Sequence, residues 1–192
     1  MPEQVQFQRF SDAIVNRLIL RFIPVSVKPN TITSIRLTMT PIVLWCVLKE
    51  YFLMAIILFC IASLTDWVDG AMARTRGQIT TIGKILDPIA DKLLIVSLMV
   101  PLVARHLTPT LAITIVLLEV FFLMNGFYRS KQHQLVLQAN WWGKIKFNFQ
   151  VLGTLLLMLF MQQSIPTLLS LSLASYSIAI GFGVVSLATK GF

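Results

Sequence analysis

Apolar residues run through this chain in long blocks, separated by proline, glycine and small groups of charge. Six blocks approach the ~20 residues that a helix needs to cross a ~30 Å hydrocarbon layer. They cover 32–49, 51–67, 83–104, 108–128, 147–162 and 168–188. The last two divide a charge-free stretch from Phe147 to Thr189, broken at Gln162-Gln163-Ser164-Ile165-Pro166. Polar residues and a proline at that point end one helix and start another. The first 22 residues follow a different pattern. Val5, Phe7, Phe10, Ile14, Leu18 and Phe22 recur at helical spacing, with Arg9, Asp12, Asn16 and Arg17 between them. Such a segment lies along a membrane surface as an amphipathic helix. The pattern therefore predicts an all-α polytopic membrane protein, with six transmembrane helices preceded by an N-terminal amphipathic surface helix. No repeat, low-complexity tract or linker divides the chain. We expect a single domain over 1–192, with the surface helix in 1–22 and the bundle in 32–188.

Composition agrees with the pattern. The chain is 56% hydrophobic and 12% charged, whereas soluble domains carry about 25% charged residues. The N-terminus lacks a continuous apolar core and a small-residue cleavage site, so it reads as retained rather than as a signal peptide. Net charge is +8, from 16 basic and 8 acidic residues. In a soluble protein that excess would suggest nucleic acid; here it sorts by side of the membrane. With six spans and both termini in the cytoplasm, every basic residue except Lys49 and Arg105 falls on or beside the cytoplasmic face. That asymmetry is the positive-inside rule, and no nucleic-acid partner is expected. Cys46 and Cys60 sit inside apolar runs and read as buried free thiols rather than as a disulfide or a zinc site.

The eight carboxylates are Glu3, Asp12, Glu50, Asp66, Asp69, Asp87, Asp91 and Glu119, and four of them fall between positions 66 and 91. Ionisable groups at the edges of membrane spans are costly and usually functional. If the second span continues as a helix, Asp66 and Asp69 stand at i and i+3, with Gly70, Ala73 and Arg74 following along nearly the same face. Asp66 lies roughly 22 Å along the helix from Tyr51 at 1.5 Å per residue, near the far edge of the hydrocarbon layer. Asp87 and Asp91 share a face at i and i+4 at the start of the third span. A chain reversal between Arg74 and Gly83 would bring both pairs to one depth. Four carboxylates brought together repel one another unless cations intervene. Hard divalent ions suit such all-oxygen ligation, and two ions so held suit phosphodiester chemistry. Gly70 and Ala73 leave room against the helix backbone, and Arg74 can fork onto a phosphate. The competing interpretation is a set of interfacial salt bridges to Arg74, Arg76, Lys84 and Lys92.

These residues resemble the CDP-alcohol phosphatidyltransferase family, whose motif is D-x2-D-G-x2-A-R-x8-G-x3-D-x3-D. Asp66, Asp69, Gly70, Ala73, Arg74, Gly83, Asp87 and Asp91 fill all eight positions at the required spacing. The resemblance implies a six-span fold and a reaction in which an acceptor hydroxyl attacks the β-phosphorus of CDP-diacylglycerol, releasing CMP. It implies two divalent ions, Mg2+ or Mn2+, ligated by Asp66, Asp69, Asp87 and Asp91, with Asp91 also the catalytic base. It implies contacts to the lipid nucleotide from Gly70, Ala73, Arg74, Thr80 and Gly83. Pro29-Asn30-Thr31-Ile32 resembles another stretch lining that site. A homodimer in a bacterial cytoplasmic membrane is implied too, with its site open to the cytoplasm.

The acceptor is less sharply marked. Thr65-Asp66-Trp67-Val68-Asp69-Gly70, Leu86-Asp87-Pro88-Ile89-Ala90-Asp91-Lys92 and Trp142-Gly143-Lys144-Ile145-Lys146-Phe147-Asn148-Phe149-Gln150 look like the branch of bacterial synthases that use sn-glycerol 3-phosphate and make phosphatidylglycerophosphate. Arg129, Lys131, Lys144 and Lys146 are candidates for the acceptor phosphate, or merely obey the positive-inside rule. That branch usually carries an R-E pair in the fourth span, where this chain has Leu118-Glu119. Phe127-Tyr128-Arg129 resembles cardiolipin synthases, whose acceptor is phosphatidylglycerol, and an inositol phosphate remains open. A membrane transporter is the alternative of a different class, although transporter charges tend to sit at midplane between repeated halves.

Overall fold

The computed structural model describes residues 29–75, 81–133 and 141–190. The described residues form six α-helices and no strand: α1 Pro29–Leu48, α2 Phe52–Thr75, α3 Thr81–His106, α4 Pro109–His133, α5 Trp141–Gln163 and α6 Pro166–Lys190. The expected surface helix in 1–22 lies outside the described residues. Three helices are long and apolar enough to cross a membrane, over Thr31–Leu48, Trp141–Gln163 and Pro166–Thr189. Phe52–Thr65 in α2 and Pro109–Met124 in α4 are shorter apolar stretches. Helix α2 continues past Thr65 through Asp66 and Asp69 to Thr75.

Local chemistry sets the helix ends. Three helices begin with proline, whose missing N–H costs nothing in a first turn. Thr108 caps α4, its Oγ1 accepting from the Leu111 amide at 3.3 Å, as an N-cap hydroxyl does. The α5–α6 break falls at the anticipated Gln162–Pro166 segment, with Ser164 at φ 56°. At the end of α1, the Tyr51 amide donates to the Cys46 carbonyl (2.8 Å) and the Glu50 amide to that of Val47 (3.1 Å). These two bonds are the Schellman closure, which normally places glycine where Glu50 stands. Glu50 accordingly has φ 64°. Its carboxylate meets Arg105 at 3.4 Å, with both side chains more than half exposed, and such a pair contributes little. Glu50→Gly is therefore expected to raise stability by about 0.5–1 kcal/mol, measured as an upward shift of the thermal midpoint in detergent.

One difference from the sequence pattern matters for function. Helix α5 starts at Trp141, ahead of the apolar block expected from 147, so Lys144 and Lys146 are helical residues. Lys144 is exposed, but Lys146 is buried. A lysine can enter that interior because a carboxylate meets it there.

The helices divide between two compact units. One holds the described residues up to Val43 together with Ile57–Leu94, and the other holds Leu44–Ile56 and the described residues from Ile95 onward. In the first, Ile32, Thr33, Arg36, Thr40 and Val43 form the buried stripe of α1, at the three-to-four spacing of one helix face. In the second, α5 packs on α6 through small residues. A Cβ on Gly153 would come within 3.1 Å of the Tyr176 ring, and one on Gly183 within 3.4 Å of the Lys146 Cδ. Close approach through glycine, with hydroxyls as cross-links, is how helices associate in lipid. Ser172 Oγ donates to the Gly153 carbonyl at 2.9 Å, and Thr154 Oγ1 bonds Tyr176 Oη at 3.0 Å. The Trp142 and Phe149 rings stack on Phe182 with centroids 5.6 and 6.1 Å away.

Candidate functional site

The motif residues divide between two consecutive helices. Asp66, Asp69, Gly70, Ala73 and Arg74 lie in the C-terminal part of α2, and Gly83, Asp87 and Asp91 in the N-terminal part of α3. On regular helices, spacings of three and four put each aspartate pair on one face. All four positions belong to the first compact unit. Asp91 is the one motif aspartate whose side chain is described. It is partly exposed and forms an ion pair with Arg36, whose Nη1 donates to Asp91 Oδ1. Arg36 is completely buried on the inner face of α1. Its own carbonyl accepts a hydrogen bond from Thr40 Oγ1 at 3.0 Å. The α1 stripe thus delivers a cation to the N-terminal part of α3.

Arg36 was not singled out by the sequence reading beyond its share in the charge asymmetry. Its signal was an arginine seven residues into the apolar stretch that follows Pro29, on one face with Thr33 and Thr40. An arginine so placed needs an anion.

The donor set fits a hard divalent ion. Two helical carboxylate pairs offer oxygen ligands only, and oxygen is what magnesium, manganese or calcium prefers. Among the described residues no group of three His, Cys, Asp or Glu side chains gathers. Of the other candidates, Pro29, Asn30, Thr31 and Ile32 form the first turn of α1, where Thr31 is exposed and Ile32 buried. Thr80 lies outside the described residues, and Arg129 and Lys131 stand near the C-terminal end of α4.

The second unit contains a separate polar cluster. Glu119, halfway along α4, accepts from Lys146 Nζ and, at 2.9 Å, from Gln150 Nε2. All three side chains are at least nine-tenths buried. The Lys146 ammonium also stands 4.3 Å from the centre of the Phe122 ring, within cation–π range. Lys146 and Gln150 are i and i+4 on α5, so both reach the same carboxylate. Glu119 is the acidic member of the Leu118-Glu119 pair, and Gln150 closes the Trp142–Gln150 segment. In the structure Glu119 accepts from both of these α5 side chains.

Comparison with known proteins agrees with the motif. A CDP-diacylglycerol–glycerol-3-phosphate 3-phosphatidyltransferase of Bacillus subtilis is 34% identical over 146 residues, covering 68% of this chain and 76% of that protein. A CMP-forming cardiolipin synthase of Streptomyces coelicolor is 34% identical over 140 residues, covering 68% of this chain and 64% of its own length. A CDP-diacylglycerol–glycerol-3-phosphate 3-phosphatidyltransferase of Aquifex aeolicus is 44% identical over 64 residues, 33% of this chain and 36% of that protein. The CDP-alcohol phosphatidyltransferase family profile matches residues 26–185, which include every motif position. This chain belongs to the CDP-alcohol phosphatidyltransferase family.

Proposed function

We propose that this enzyme transfers the phosphatidyl group of CDP-diacylglycerol to sn-glycerol 3-phosphate, making phosphatidylglycerophosphate and releasing CMP. The observation that carries the reading is the complete eight-position motif, placed on the end of α2 and the start of α3. Asp66, Asp69, Asp87 and Asp91 would hold two divalent ions, Mg2+ or Mn2+. Those ions would supply charge neutralisation at the pyrophosphate and its departing CMP. The chain's own residues do the rest. Gly70, Ala73 and Gly83 let the nucleotide diphosphate lie close to helix backbone. Arg74 and Thr80 bind its phosphates, and Pro29, Asn30, Thr31 and Ile32 line the nucleotide. Asp91 accepts the proton of the acceptor hydroxyl as that oxygen bonds to the β-phosphorus, and the bond from the β-phosphorus to the CMP oxygen breaks. A carboxylate needs only hydrogen-bond reach of the hydroxyl for this role.

Arg129, Lys131, Lys144 and Lys146 are the proposed cations for the acceptor phosphate. We place the enzyme in a bacterial cytoplasmic membrane as a homodimer of six-span protomers. The surface helix, both termini and the site face the cytoplasm, so acyl chains stay in lipid while the headgroup meets a water-soluble acceptor. Family membership replaces the transporter alternative.

A second acceptor is favoured by one observation, the 34% identity to a cardiolipin synthase over a similar share of the chain. Its acceptor would be phosphatidylglycerol. The deciding experiment incubates purified enzyme with CDP-diacylglycerol, a divalent metal and a panel of acceptors, and identifies products by mass spectrometry. Product and CMP with sn-glycerol 3-phosphate alone establish the first reading. Cardiolipin with phosphatidylglycerol alone replaces it.

The ligand assignment has its own test. Asp66→Asn is expected to raise the metal concentration needed for CDP binding by about tenfold or more, read by calorimetric titration with Mg2+ and Mn2+. An unchanged requirement removes Asp66 from the ligand set.

A further inference from the structure

We infer that Arg36 is a positioning residue for the reaction, fixing the Asp91 carboxylate in the orientation from which it takes the acceptor's proton. The inference rests on the role proposed above for Asp91. Three features of the first unit carry it. Arg36 is fully buried and, among the described residues, heads the large side chains that are so. A cation is placed there only against a matching anion, since taking a charge out of water costs several kcal/mol. An anion it meets is Asp91, through Nη1 and Oδ1. The two residues lie on different helices, so the pair ties the orientation of an α3 side chain to the α1 stripe of Ile32, Thr33, Thr40 and Val43.

Arginine suits this task better than lysine. Its guanidinium is planar and permanently charged, and it presents donors in a rigid fork that fixes a carboxylate plane. A lysine ammonium supplies the charge without fixing the plane. A base aimed at a bound hydroxyl has to be held, since a displacement of about 1 Å can cost roughly 100-fold in rate.

The test uses the full-length enzyme in lipid nanodiscs with CDP-diacylglycerol and sn-glycerol 3-phosphate, and compares Arg36→Met, Arg36→Lys, Asp91→Asn and Arg36→Met with Asp91→Asn. Arg36→Met is expected to lower kcat about 100-fold, with KM for CDP-diacylglycerol within about twofold of wild type, as for a loss confined to the transition state. Arg36→Lys should recover part of that loss. In the Asp91→Asn background, Arg36→Met should cost less than about twofold more, because residues that act as a unit are not additive. A merely structural arginine would instead raise KM, or cost the same factor in both backgrounds, and either result overturns the inference. If Arg36→Met does not yield folded protein, Arg36→Lys decides. A lowered kcat with unchanged CDP binding supports the inference, and full wild-type turnover overturns it. The underlying reading fails separately: turnover retained in Asp91→Asn removes the base itself. An inactive Asp91→Asn beside fully active Arg36 variants removes only the positioning role.

Discussion

Asp91→Asn should leave an enzyme that binds CDP-diacylglycerol and releases almost no CMP. The substitution keeps the side chain's size and its place on α3 and removes its capacity to take a proton at neutral pH. General-base catalysis contributes between about 100-fold and 10,000-fold, so a loss near a thousandfold is expected, equivalent to about 4 kcal/mol of barrier. The Arg36 guanidinium would then face a neutral amide, so a modest fall in thermal midpoint should accompany the kinetic loss. Single-turnover CMP release and CDP binding, measured on the same preparation, check this. Wild-type turnover in Asp91→Asn would exclude Asp91 as the base.

The largest effect on stability is expected at Glu119. Glu119→Gln takes a carboxylate away from the buried Lys146 ammonium, and breaking a buried pair by removing one partner costs about 3–5 kcal/mol. Gln150 and the Phe122 ring remain beside it, which places the expectation at about 3 kcal/mol, the lower end of that range. Joining Glu119→Gln with Lys146→Met removes both charges and should restore most of the loss, because the penalty comes from the stranded charge. The Lys146 stem already lies against Gly183, so a methionine of similar length can occupy the same path. Thermal midpoints of the three variants in one detergent give the answer. A double variant less stable than either single one would show that the pair is net stabilising.

The helical architecture was legible because the blocks of apolar residues are long and their interruptions are sharp. The break at Gln162–Pro166 appears where the polar residues and proline stand, and α2 runs on through Asp66 and Asp69 to Thr75. The motif was legible as spacing, since positions three and four apart on a helix share a face whatever surrounds them. The partners of its charges were not. Nothing local to Asp91 points to a residue 55 positions earlier, and nothing local to Glu119 points to a lysine 27 positions later. Both pairings depend on which helix faces come into contact, and hydrophobic periodicity is blunt on that point in helices apolar on most sides. The start of α5 was misplaced for the same reason. Lys144 and Lys146 interrupt the apolar run, but a buried charge with a counter-ion does not interrupt a helix.

The Glu119–Lys146 pair also bears on how the chain enters the bilayer during synthesis. Helix α4 precedes α5 in the chain, so Glu119 reaches the insertion machinery before Lys146 does. A lone carboxylate near the middle of a segment opposes its insertion by about 2.5–3.5 kcal/mol. In the six-span arrangement proposed above, partition of α4 into lipid is coupled to the arrival of α5, and the two segments are expected to integrate together as a hairpin. The pair that joins the two helices in the folded protein would then already act at the insertion step.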